Sequence, residues 1–144
     1  MAHLIYSALP HPRREIIFIK PDLTVTQCVD MMTTGDIGAL VVRDDQSLLG
    51  LVSERDIIRE CLFRNLPPDK TPAIDVAWKN VSILTVNDPI EKAMEVITET
   101  KRRHVLITEN GELTAILSIG DLLFHLLEDK ARTIEHLENY IHTY

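Results

Sequence analysis

Two serine–aspartate pairs carry the chemistry in this chain: Ser53-Glu54-Arg55-Asp56 and Ser118-Ile119-Gly120-Asp121. Each follows a β-like apolar run and opens a segment with helical spacing. A carboxylate fixed at a strand-to-helix turn can accept from both hydroxyls of a ribose, and a serine hydroxyl three residues earlier can donate to a phosphate oxygen. Free N–H groups at the helix start favour the same anion. The spacing also suits a local task. Ser-x-x-Asp is close to the capping box, in which serine accepts from an N–H of the first turn and the acid reaches back to the serine N–H. A single copy leaves the two readings level. Two copies in the same context favour a ligand.

The context is indeed the same, because the chain is one unit written twice. A shift of 65 residues, the distance from Asp56 to Asp121, lays Ile19-to-Ile58 over Leu84-to-Leu123 without a gap. Identities are few: Thr33 on Thr98, Leu48 on Leu113, Ser53 on Ser118 and Asp56 on Asp121. The apolar pattern carries the rest, with Leu40-Val41-Val42 over Val105-Leu106-Ile107 and Leu51-Val52 over Ile116-Leu117.

Each unit reads as strand, helix, strand, strand, helix, a βαββα repeat in an α+β chain. Ile16-Ile17-Phe18-Ile19 is a β-branched and aromatic run that Pro21 stops. A helix starts near Thr24, a suitable N-cap, and carries Val25, Cys28, Val29 and Met32 on one face. Gly35 and Gly38 end it and open a strand from Ala39 to Val42. Asp44-Asp45-Gln46 turns the chain into the returning strand Leu48 to Val52, and Asn110-Gly111 makes the matching turn in the second copy. After Ser53, Ile57, Ile58, Cys61 and Leu62 form the expected buried stripe of a helix.

This reading divides the chain into a first repeat with its N-terminal segment over 1–66, a linker over 67–72 and a second repeat over 73–144. The linker is proline-punctuated, hence extended and semi-rigid. The last helix runs from Ile119 almost to the end, with Leu122, Leu123, Leu126, Leu127, Ile134, Leu137 and Ile141 as an apolar stripe. Its end overhangs the core that one repeat supplies, which suits a subunit contact in a homodimer, the alternative being that it docks back on its own module.

The heptapeptides Gly50-Leu51-Val52-Ser53-Glu54-Arg55-Asp56 and Ala115-Ile116-Leu117-Ser118-Ile119-Gly120-Asp121 resemble the signature of the cystathionine-β-synthase (CBS) domain, Gly-apolar-apolar-Ser/Thr-x-x-Asp. The resemblance runs through Ile37-Gly38-Ala39-Leu40-Val41-Val42 and Arg103-His104 and covers roughly residues 9–144. The tail also looks like that of small bacterial stand-alone CBS-pair proteins. Alanine stands in the glycine place at 115, Leu106 replaces a usual proline, and Ala77-Trp78 stands where many relatives have Met-Thr. The resemblance implies a disc with pseudo-two-fold symmetry, and two clefts between repeats where AMP, ADP, ATP, NAD(H) or S-adenosylmethionine sits.

By the same resemblance the primary cleft contains Ser118 and Asp121, with Ile17, Ile37 and Gly38 clamping the base and Arg103 and His104 meeting phosphate. The second cleft contains Ser53 and Asp56, with Ser82 and Arg102 in the clamp positions; Arg55 reaches phosphate in either. An aliphatic clamp such as Ile37 offers an adenine face a dry surface. Arg102 must stack its guanidinium on the base or swing away, so the Asp121 cleft ranks first.

Composition narrows the alternatives. The 144 residues are 45% apolar and 26% charged with a formal charge of −7, and the basic residues are scattered, which argues against nucleic acid. No apolar run approaches a membrane span, and the first residues make no signal peptide. Cys28 and Cys61 sit in apolar segments, as small buried hydrophobes of a reduced, cytoplasmic protein. No nucleophile–base pair suggests an enzyme, and His125 and His136, eleven residues apart on one helix, are too far apart for one metal. The leading expectation is an adenine-nucleotide-binding regulatory module with no catalytic cofactor or metal. The alternatives are a ligand-free structural dimerisation module and a metal- or redox-sensing interaction protein.

Overall fold

Thr24 begins the first long helix as its spacing predicts: its hydroxyl accepts from the Gln27 N–H at 3.2 Å, and the Gln27 side chain accepts from the Thr24 N–H at 2.9 Å. The computed structural model describes residues 3–45 and 47–143. In chain order its elements are α1 (Ile5–Ala8), β1 (Phe18–Ile19), α2 (Val25–Gly35), β2 (Ala39–Asp44), β3 (Ser47–Ser53) and α3 (Glu54–Ile57), which continues as a π-helical turn over Ile58–Leu62. Then follow α4 (Ala73–Val76), β4 (Ile83–Thr85), α5 (Ile90–Thr100), β5 (His104–Glu109), β6 (Glu112–Ser118) and α6 (Ile119–Thr143).

The duplication is visible residue for residue. Helix α5 and strands β5 and β6 repeat α2, β2 and β3 at the same shift that aligns the motifs. Each sheet has three strands in chain order, the first pair parallel and the second antiparallel. Even the irregularity in the hairpin recurs, between Val42 and Arg43 and between Ile107 and Thr108. Asn110 and Gly111 both take positive φ, the conformation a type I′ turn demands. In the first hairpin Asp45 takes positive φ, and Gln46 lies outside the described residues.

Two compact units result, one of Glu15–Val81 and one of 82–143 joined by the chain up to Arg14. Each has its own apolar core, around Val25, Cys28, Leu40, Val52 and Cys61 in the first and Ile5, Ala93, Val105, Ile107 and Leu117 in the second. Burial pushes the Cys28 thiol up to about 11, so it stays protonated and apolar at neutral pH.

The compact units do not coincide with the sequence repeats 1–66 and 73–144, and the hydrogen bonds show why. Each repeat is preceded by a four-residue helix that docks in the unit of the other repeat. Helix α4 belongs to the first unit, where Ala73 and Ile74 donate to the Leu23 and Pro21 carbonyls. Helix α1 belongs to the second, where Ile5 and Tyr6 donate to the Asp88 and Val86 carbonyls and Ile90 donates back to His3. The linker over 67–72 is itself held by hydrogen bonds. Thr71 is buried and donates to the Pro67 carbonyl, while the carbonyls of Thr71 and Pro68 accept from Val25 and Thr26 and so satisfy the open N–H groups of α2.

Three local expectations are also corrected. The first strand is confined to Phe18–Ile19. Gly35 is the last residue of α2, and Asp36 takes the left-handed cap conformation at φ 51°. The stripe after Ser53 is split: Ile57 and Cys61 are buried, whereas Ile58 and Leu62 are 57% and 52% exposed. The π-helical turn closes its hydrogen bonds over five residues instead of four, as from the Phe63 N–H to the Ile58 carbonyl, so side chains spaced for an α-helical face rotate off it.

Candidate functional site

In the second unit the strand-to-helix turn gathers four of the expected residues. His104 pairs with Ser118 across β5 and β6, and the Ile119 N–H donates to the Arg103 carbonyl at 2.9 Å. Ser118 and Asp121 form a capping box: the Asp121 N–H donates to Ser118 Oγ at 3.1 Å, and the Ser118 N–H donates to Asp121 Oδ2 at 2.9 Å. The box orients the carboxylate at the start of α6. A cation already meets it there. Arg14 Nη2 lies 2.7 Å from both Asp121 oxygens, with the aspartate side chain 10% exposed and the arginine 61%. Its neighbour Arg13 is held by Glu109 at 2.9 Å and packs over the Tyr6 ring.

The first unit repeats the turn with a deeper aspartate. Ser53 donates to Asp56 Oδ2 from both its N–H and its hydroxyl at 2.8 Å, and Asp56 is 1% exposed. Beside this turn lies a pocket of about 390 Å³, lined by Val29, Met32, Thr33, Asp36, Ile37, Gly38, Glu54, Ile57 and Ile58. Its walls mix the aliphatic side chains of Val29, Met32, Ile37, Ile57 and Ile58 with the polar Thr33, Asp36 and Glu54. Gly38 keeps one side open, since a methyl group there would meet only a Glu54 carboxylate oxygen at 3.6 Å.

The remaining expected residues are distributed as follows. Ile37 and Gly38 share the pocket of the first unit, and Ile17 lies in the same unit, its carbonyl accepting from the Val41 N–H. Arg55 stands in the first turn of α3. Ser82 and Arg102 lie in the second unit: the Ser82 carbonyl accepts from Leu106, and the Arg102 N–H donates to Thr100 Oγ1. Arg14 escaped sequence reasoning. Its only signal is its place in the basic pair Arg13-Arg14 just before the first strand, and no spacing ties it to Asp121. Among the described residues no three His, Cys, Asp or Glu side chains are grouped to hold a metal ion, and no helix is long and apolar enough to cross a membrane.

The model of the CBS domain matches the chain twice, over residues 7–62 and 73–128. The chain belongs to the CBS-domain family. It is 30% identical over 106 residues to Hypoxic response protein 1 of Mycobacterium tuberculosis, covering 73% of this chain and 74% of that one. It is 27% identical over 130 residues to the mitochondrial CBS domain-containing protein CBSX3 of Arabidopsis thaliana, covering 87% of this chain and 63% of that one. A crystal structure of a CBS-domain protein from Agrobacterium tumefaciens superposes with a TM-score of 0.79 at 28% identity, over 87% of this chain and 94% of the other.

The first CBS repeat shows why its signature opens with glycine. A Cβ on Gly50 would lie 2.8 Å from the Trp78 carbonyl oxygen, because Leu51 and Trp78 exchange backbone hydrogen bonds of 3.0 and 2.8 Å. Trp78 thus acts through its backbone, as a one-residue bridge on the edge of β3. The second CBS repeat carries Ala115 in the glycine place, buried in its own core.

Proposed function

We propose that this chain is a non-catalytic regulatory module that binds an adenine nucleotide (AMP, ADP, ATP or NAD(H)), with the Asp121 carboxylate taking the ribose hydroxyls. One observation supports the reading: a carboxylate is held by its serine at the same strand-to-helix turn in both repeats. Ser118 Oγ and the first N–H groups of α6 suit a phosphate, with Arg103 and His104 at the adjoining strand start. The two buried free thiols suit a reducing compartment such as the cytoplasm.

A second reading keeps the fold and drops the ligand. It is favoured by the self-sufficiency of the first motif, where Asp56 is buried and occupied by Ser53. The nucleotide content of the purified protein, released by denaturation and resolved by chromatography, separates the two. Stoichiometric adenine nucleotide supports binding. Protein that neither retains nucleotide nor takes it up on dialysis against millimolar AMP, ATP and NADH is the structural module.

A further inference from the structure

The outer face of α6 repeats with a period of 3.5, the spacing of a coiled coil. Leu123, Leu127, Lys130, Ile134, Leu137 and Ile141 follow one another in alternating steps of four and three residues. The five apolar members are between 53% and 68% exposed. The inward face is a different set: Leu122 is buried, His125 packs edge-on against His3, and Asp129 meets His3 at 3.9 Å. From Lys130 to Ile141 every residue is exposed, so this part of the seam is covered by nothing in its own unit. It spans about 27 Å from Leu123 to Ile141, at about 1.5 Å of rise per residue.

We infer that α6 pairs with α6 of a second copy of this chain, antiparallel, about a two-fold axis beside Arg132. The sequence of the seam is its own complement in that direction. The pairing sets Leu123 against Ile141, Leu127 against Leu137, and Lys130 against Ile134, each twice by symmetry, and leaves no seam residue without a partner. Leu126 and Tyr140, exposed on one flank, fall together, and the small Ala131 and Thr133 flank the axis where the helices approach most closely.

Charge selects the direction. A parallel pair would stack Lys130 on Lys130 in the middle of an apolar seam, opposing two like charges there. The antiparallel pair lays the aliphatic stem of Lys130 along Ile134 and brings its ammonium within one turn of Glu138 of the other helix. The inference does not depend on nucleotide binding.

Sedimentation and cysteine cross-linking test it together on the full chain. The wild type sediments at twice the chain mass at micromolar concentration. Ile134→Asp and Leu137→Asp, both at exposed positions, keep the wild-type circular dichroism and melting of the units but weaken the dimer at least tenfold. On mild oxidation an equimolar mixture of Leu127→Cys and Leu137→Cys chains cross-links between the two variants, while neither alone cross-links to itself; Cys28 and Cys61 stay buried throughout. Self-cross-linking of Leu127→Cys would make the pair parallel and overturn the inference. A monomeric wild type, or a dimer indifferent to both aspartates, would overturn it as well.

Discussion

Arg14 and Asp121 are bonded across 107 residues of chain, one guanidinium nitrogen bridging both carboxylate oxygens at 2.7 Å. The pair couples the segment before the first strand to the aspartate that would take a ribose. On the proposed reading a nucleoside would compete with the guanidinium for these oxygens, and an Arg14 so released would be available to a phosphate.

Replacing Arg14 separates those two effects. Ion pairs with so exposed a member are worth about 0–1 kcal/mol, so removal of the competitor should raise adenosine affinity by up to about fivefold. For AMP the gain is offset by loss of a charge-assisted phosphate contact, worth about 1.5–3 kcal/mol. Calorimetric titration of wild type and Arg14→Ala should show a smaller preference of AMP over adenosine in the variant. An unchanged preference would mean that Arg14 never meets phosphate.

The two aspartates should differ in the same assay. Asp121→Ala removes the acceptor expected to hold the ribose, and affinity for AMP should fall roughly ten- to a hundred-fold, corresponding to about 1.5–3 kcal/mol. Asp56→Ala should cost less affinity and more stability, because Asp56 is buried and bonded to its own serine. Loss of a cap alone costs about 1 kcal/mol, so melting of each unliganded variant is measured alongside. Binding abolished by Asp56→Ala but intact in Asp121→Ala would invert the ranking of the sites.

The glycine of the first signature answers to packing. Gly50→Ala forces a methyl group against the Trp78 carbonyl, a backbone atom with no side-chain freedom to yield. Overpacking of this kind costs about 1–3 kcal/mol. Urea denaturation should show that loss, without a change in AMP affinity of the folded protein. A Gly50→Ala variant as stable as wild type would show that the bridge between Leu51 and Trp78 yields freely.

Much of this was legible in the residues. The shift that aligns Asp56 with Asp121 predicts both hairpins, both long helices and the place of each motif, because burial imposes the same apolar pattern on both copies. Thr24 and Asn110-Gly111 announced their cap and turn through side-chain chemistry alone. Other features left no such trace. Helix α1 is only four residues long, too short for a periodicity, and the docking of α1 and α4 in the opposite units depends on tertiary hydrogen bonds. A π-helical turn shifts the face of a helix without altering its composition, which is how Ile58 and Leu62 were misplaced. The pairing of Arg14 with Asp121 is set by the path of the chain, which no local spacing encodes. The heptad in α6 was visible as an apolar stripe, but only the exposure of its members separates an uncovered seam from a core face.

The central claim is that an adenine nucleotide binds the folded chain, and a thermal-shift panel of AMP, ADP, ATP, NAD, NADH and S-adenosylmethionine tests it most directly. A ligand at a hundred times its dissociation constant stabilises the native state by about 2.7 kcal/mol, a shift of several degrees for a chain of this size. At least one adenine nucleotide should give that shift in the wild type, and the shift should shrink in Asp121→Ala. A flat panel at millimolar concentration would contradict the account and leave a structural module in its place.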